Sequence, residues 1–198
     1  KIPSDPVYRE RMFQYRPSES MLGRNVLRVW KARESLWMAA KKNEERQRRK
    51  YSMVIWTRDD TFWVGNIVGP AELLGSANAS FTAWSKNCKQ WRGMNDKSVL
   101  LGREAADVML SAYSNFWNPH PELRSKNAEI YLSLYARSQQ LKMMYLKPGD
   151  LPGSDALIYE TNPPRVCFLL TYWCGKTPPP NTTFCEWKFP SNRGVNRR

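Results

Sequence analysis

The chain has 198 residues, with 31 Lys and Arg against 18 Asp and Glu, for a net charge of +13. Hydrophobic residues make up 41% and aromatics 13%, which excludes a disordered chain, a collagen, a coiled-coil rod and a small disulfide knot. The length predicts one domain with extensions, and so positive a surface calls for a polyanion, an anionic membrane or acidic neighbours.

Residues 1–20 read as an irregular arm with Pro3, Pro6 and Pro17. Residues 21–50 lack Pro and read as one long helix. Projected at helical pitch, Leu22, Val26, Val29, Trp30, Leu36, Trp37 and Ala40 share one broad side. Arg24, Arg28, Lys31, Lys42, Arg46 and Arg49 fall on the opposite side, within about 60° of one another, and none of Glu34, Glu44 or Glu45 enters that stripe. The stretch 41–50 holds almost nothing apolar and is expected to run past the core.

Residues 51–57 and 61–68 are rich in aromatic and β-branched side chains around Arg58-Asp59-Asp60, which predicts a β-hairpin in a covered sheet. Gly69-Pro70 stops the second strand. Residues 71–98 read as irregular, with one short helix and with Trp84 and Trp91 as anchors. Residues 103–117 read as a helix, with Ala105, Val108, Met109, Ala112, Tyr113 and Phe116 at three- and four-residue steps. A second helix is predicted from Pro121 to about Leu146, striped by Leu123, Ile130, Tyr131, Leu134, Leu141 and Tyr145. Strands are predicted at 156–160, 166–173 and 183–189, before a basic tail at 191–198.

These elements predict an α+β fold: an antiparallel sheet of about four to five strands packed with two to three helices, one long projecting basic helix and extended termini. The domain itself is expected to span 21–190. No span is apolar for the roughly 18 to 20 residues that a membrane crossing needs. The chain begins Lys-Ile-Pro, and a segment removed ahead of it is expected.

Cys88, Cys167, Cys174 and Cys185 contain no Cys-x-x-Cys pair, and with a single His a structural zinc site is not expected. Reduced thiols are the favoured reading. The alternative is a disulfide framework in a secreted chain, which the glycosylation patterns at Asn78 and Asn181 also permit. His120 lies between two prolines with no nucleophile motif nearby, and Asp59-Asp60 reads as a turn former. There is no phosphate-binding Gly loop, so no catalysis and no cofactor are expected.

The basic helix face is the main signal. A row of cations on a rigid helix neutralises several phosphates at once and releases their counterions. The tail residues Arg193, Arg197 and Arg198 suit the same partner, because ordering a short basic tail is offset by packed phosphate charge. Most Trp residues, among them Trp30, Trp37, Trp56, Trp63 and Trp117, fit a core or a protein interface better than base stacking.

The expected function is a non-catalytic structural subunit of a large ribonucleoprotein, a lineage-specific protein of a mitochondrial ribosome in the mitochondrial matrix. It would contact rRNA and neighbouring proteins. One rival is an accessory subunit of a respiratory complex or ATP synthase that touches anionic lipid. The other is the secreted disulfide-bonded binding domain.

Overall fold

A computed structural model describes residues 20–58, 61–63, 65–67, 72–73, 75, 78–88, 90, 92–117, 123, 127–159, 165–169 and 184–185. Residues 1–19 of the arm predicted at 1–20, His120, the Asp59-Asp60 pair, Asn181 and the 191–198 tail lie outside the described residues.

The fold is α+β. Four helices, α1 (Ser20–Gln47), α2 (Arg103–Met109), α3 (Ala112–Phe116) and α4 (Ala128–Ser138), accompany two four-stranded sheets among the described residues. The first sheet holds β1 (Met53–Thr57), β3 (Thr82–Lys86), β4 (Ser98–Gly102) and β5 (Lys142–Leu146) in the order β1-β4-β3-β5. The second holds β2 (Thr61–Trp63), β6 (Gly153–Tyr159), β7 (Arg165–Leu169) and β8 (Phe184–Cys185) in the order β2-β6-β7-β8. Pairing is mainly antiparallel, and β3–β5 and β7–β8 are parallel.

The strand-rich runs at 51–57 and 61–68 do not form the expected hairpin. Trp56 pairs with Val99 of β4, whereas Phe62 pairs with Ser154 of β6. Arg58-Asp59-Asp60 lacks the Gly or Asn favoured in a tight hairpin turn, and Thr57 and Thr61 on either side of it lie in different sheets.

The central strands β3 and β4 are buried along their whole length. Ala83, Val99 and Leu101 pack with the helices, while Trp84 and Leu100 alternate onto the other face against Leu151. On the helical side Trp30 stacks on Tyr131 at 5.1 Å, and Phe116 meets both edge-on at 5.9 and 5.5 Å. That ring cluster joins α1, α3 and α4, where each aromatic buries a large apolar area in a preferred geometry.

The helix expected over 103–117 breaks between α2 and α3. Ser111 Oγ donates to the Asp107 carbonyl at 2.6 Å, and a serine hydroxyl bonded one turn back bends a helix. The helix expected from Pro121 to Leu146 is shorter. It starts behind Asn127, whose Oδ1 accepts from the N–H groups of Glu129 (2.7 Å) and Ile130 (3.1 Å). It ends at Ser138, and Gln140 just beyond is left-handed at φ 58°. There Leu141 N–H donates to the Ala136 carbonyl and Gln140 N–H to that of Arg137, each at 2.9 Å, which is a Schellman close. The chain then enters β5.

Candidate nucleic-acid interface

The face of α1 that packs inward holds Leu27, Trp30, Trp37 and Glu44, all buried, with Val26 and Ala40 half-buried. Two residues expected there are displaced outward: Val29 is 40% exposed and Leu36 is 71% exposed. They sit at the rim of the apolar arc, and the buried contact centres on Trp30 and Trp37.

The opposite face carries the cations. Arg28, Lys31, Lys42 and Arg46 are exposed on α1. Their side-chain contacts are with neutral groups. Arg28 donates to Asn25 at 3.4 Å, Arg46 donates to Asn43 at 2.7 Å, and Lys31 lies 5.9 Å from the Tyr113 ring centre. Among the described residues, ion pairs engage Lys41, Arg58 and Arg103 and none engages the four exposed cations. Arg24 is on the same helix, and its side chain lies outside the described residues, as do Arg193, Arg197 and Arg198.

Arg49 leaves the stripe. The helix closes at Arg48, left-handed at φ 50°. Arg49 N–H then donates to the Glu44 carbonyl (3.1 Å) and Arg48 N–H to that of Glu45 (3.2 Å). Arg49 is exposed beyond the helix end and lines an open groove of about 490 Å³ with Asn43, Gln47, Lys50 and Tyr51.

The apolar-poor end of α1 is held by charge. Glu44 is 6% exposed and accepts from Arg103 Nε at 2.9 Å, from Arg103 Nη2 at 2.7 Å and from Tyr51 N–H at 2.8 Å. Arg103 also donates to Asp107, and its guanidinium lies 4.7 Å from the Trp37 ring centre. Asp107 further accepts from Trp37 Nε1 at 3.0 Å and pairs with Lys41 at 3.4 Å. The Arg103 hydrogen bond holds the Glu44 carboxyl below the usual carboxylate range against the opposing effect of burial. For Asp107 burial pushes upward, and the bonds from Arg103 and Trp37 outweigh it, leaving a net lowering. These contacts hold Glu44 and Asp107 against the core, whereas Glu45 and Glu104 stay exposed, and neither pairs with the four exposed cations. The predicted stripe did not reveal this lock, because Glu44 and Arg103 are 59 residues apart in sequence.

A second cation is used structurally. The Arg33 guanidinium lies 3.8 Å from the Trp56 ring centre and donates to the Asp96 carbonyl at 3.1 Å. Lys86, on β3, is 2% exposed and donates to the Gly153 carbonyl. Burial, with the nearby Lys97 charge, lowers its pKa to about 8.

Cys88 is disulfide-bonded, and no described cysteine is free. This corrects the expectation of reduced thiols; spacing alone carries no signal for which distant cysteines the fold brings together. Trp30, Trp37 and Trp56 are buried as expected, Trp117 is half-buried and Trp63 is 37% exposed. Among the described residues no His, Cys, Asp and Glu side chains cluster as a metal site requires, and no helix is long and apolar enough to cross a membrane. No family model, curated protein or solved structure matches the chain.

Proposed function

We propose that the protein is a non-catalytic structural subunit of a large ribonucleoprotein, a mitochondrial ribosome, and that the outer face of α1 lies along RNA phosphates. The observation that carries this reading is the exposed row of Arg28, Lys31, Lys42 and Arg46, which no carboxylate among the described residues neutralises. Arg presents a planar fork of donors to phosphate oxygens, and a rigid helix keeps the row in register with a repeating backbone. Buried Trp and Tyr side chains serve the core, so affinity is carried by phosphate contacts rather than by stacking.

A second reading is a secreted, disulfide-bonded binding domain, and the Cys88 disulfide favours it because such bonds persist in oxidising compartments. Asn78 suits this reading as well: it is exposed, left-handed at φ 65°, and makes no side-chain cap bond.

The test is sedimentation of the native protein from cells, with and without ribonuclease, alongside its mass before and after reduction. A large particle that ribonuclease collapses supports the first reading. A free chain with oxidised Cys88 and a glycan on Asn78 replaces it with the second.

A further inference from the structure

A groove of about 430 Å³ runs between α1 and β1, and it is separate from the cationic face. One wall is Arg33, Leu36, Trp37 and Ala40 of α1; the other is the whole of β1 together with Tyr51. Its rim is apolar and open to water: Leu36 is 71% exposed, and Ile55 and Tyr51 are 42% exposed. Its Tyr51 end runs into the groove that holds Arg49 and Lys50.

Among the described residues β1 is the edge strand, paired on one side with β4. Its other side therefore presents a row of peptide groups along the groove. Globular proteins usually blunt such an edge with charge, Pro or a bulge. Here the edge strand reads Met-Val-Ile-Trp-Thr and has none of these.

We propose that this groove takes an extended peptide of a partner protein, added as a strand to β1, with apolar side chains at alternate positions and acidic residues at the end near Arg49 and Lys50. Strand addition uses the free peptide groups for affinity and alternate side-chain pockets for specificity. The acidic end follows from charge: Arg49 and Lys50 line the groove at that end, and no described lining residue of either groove is acidic. The same charge disfavours a second copy of this chain, which would bring like cations together on a molecule already at +13. A flexible anionic amphiphile would leave the edge peptide groups unpaired. The proposal rests on the groove alone and stands whether or not α1 binds RNA.

The test is selection of phage-displayed random nonapeptides on the immobilised full chain at about 0.15 M salt, where exposed charges still act over about 8 Å, against a Leu36→Gln, Ile55→Gln variant. Both sites are exposed, and the variant's unfolding midpoint is checked to match the parent. Selected peptides should alternate β-branched and polar residues, carry Asp or Glu at one end and lack central Pro. Their binding should fall about tenfold or more on the variant, as for loss of interface anchors. Amide exchange at residues 53–57 should slow by a similar factor when a selected peptide is bound. Failure to enrich any sequence over the variant overturns the proposal. So does enrichment of helical or basic sequences, or binding that leaves the β1 amides unprotected.

Discussion

Replacing Glu44 with Ala removes the acceptor of two Arg103 hydrogen bonds and of the Tyr51 N–H. Glu44 is 6% and Arg103 14% exposed, so the guanidinium is left mostly desolvated. Breaking such a pair from one side costs about 3–5 kcal/mol. Asp107 still faces Arg103, which places E44A near the lower end, at about 3 kcal/mol. With a urea m-value of about 2 kcal/mol/M, the midpoint falls by about 1.5 M. The double variant Glu44→Met, Arg103→Met loses much less than the sum of the single changes, since two apolar groups replace two charges together. The native pKa of Glu44 is lowered. Its contribution is therefore complete above the ordinary Glu value of about 4.3 and is lost as pH falls through the native value, so the E44A deficit closes in acid. A loss under about 0.5 kcal/mol, or strict additivity in the double variant, would refute the view that charge anchors the end of α1.

Arg48→Gly places glycine at a left-handed helix close and should stabilise by about 1 kcal/mol, read as a raised urea midpoint. Gly93→Ala should cost about 3 kcal/mol or more, because an added Cβ would lie 2.1 Å from the Glu129 backbone where the Gly93–Met94 turn meets α4. Gly102→Ala should do the same, its Cβ falling 2.0 Å from the Ala79 carbonyl oxygen. Stability should rise with pH from about 8 toward 10, since Lys86 titrates near 8 when folded and near 10.4 when unfolded, so the unfolded chain binds more protons there. Above 10 it should fall, because burial holds Tyr135 up at about 12 and the unfolded phenol ionises first. Urea titrations across this range, with Lys86→Met removing the rise, check both signs.

How much of this was legible in the sequence depends on whether the signal was local. Helix α1 was readable because 3.6-residue periodicity and the absence of Pro act along the chain, and so did its cationic stripe up to Arg46. Its end was not readable: the left-handed closes at Arg48 and Gln140 use residues that carry none of the stop chemistry of Gly. For the same reason residues 142–146 read as helix in the sequence and fold as β5. Strand β3, Thr-Ala-Trp-Ser-Lys, looks polar and loop-like, yet it lies at the centre of a sheet. Its Ser85 hydroxyl donates to the Asn95 carbonyl at 3.0 Å, and the Lys86 ammonium reaches the Gly153 carbonyl. Those partners are tertiary and leave no trace in spacing. The hairpin expected at residues 51–68 failed because strand propensity states that a segment extends, not which strand it meets. Within the candidate interface the exposed cations were foreseen. The Glu44–Arg103–Asp107 lock was not, nor was the Cys88 disulfide.

In the proposed function the outer face of α1, rather than net charge, holds RNA. The direct measurement is the salt dependence of binding to a single-stranded RNA for the parent and two variants of equal charge. One variant neutralises Arg28, Lys31, Lys42 and Arg46 to Gln; the other neutralises Arg92, Arg137, Lys142 and Lys147, which are exposed elsewhere. At about 0.7 per phosphate contact, the slope of log K against log salt should become shallower by about 2.8 in the first variant, and the second should keep the parent slope. Equal slopes in the two variants would contradict the claim and leave only a diffuse attraction between a basic protein and a polyanion.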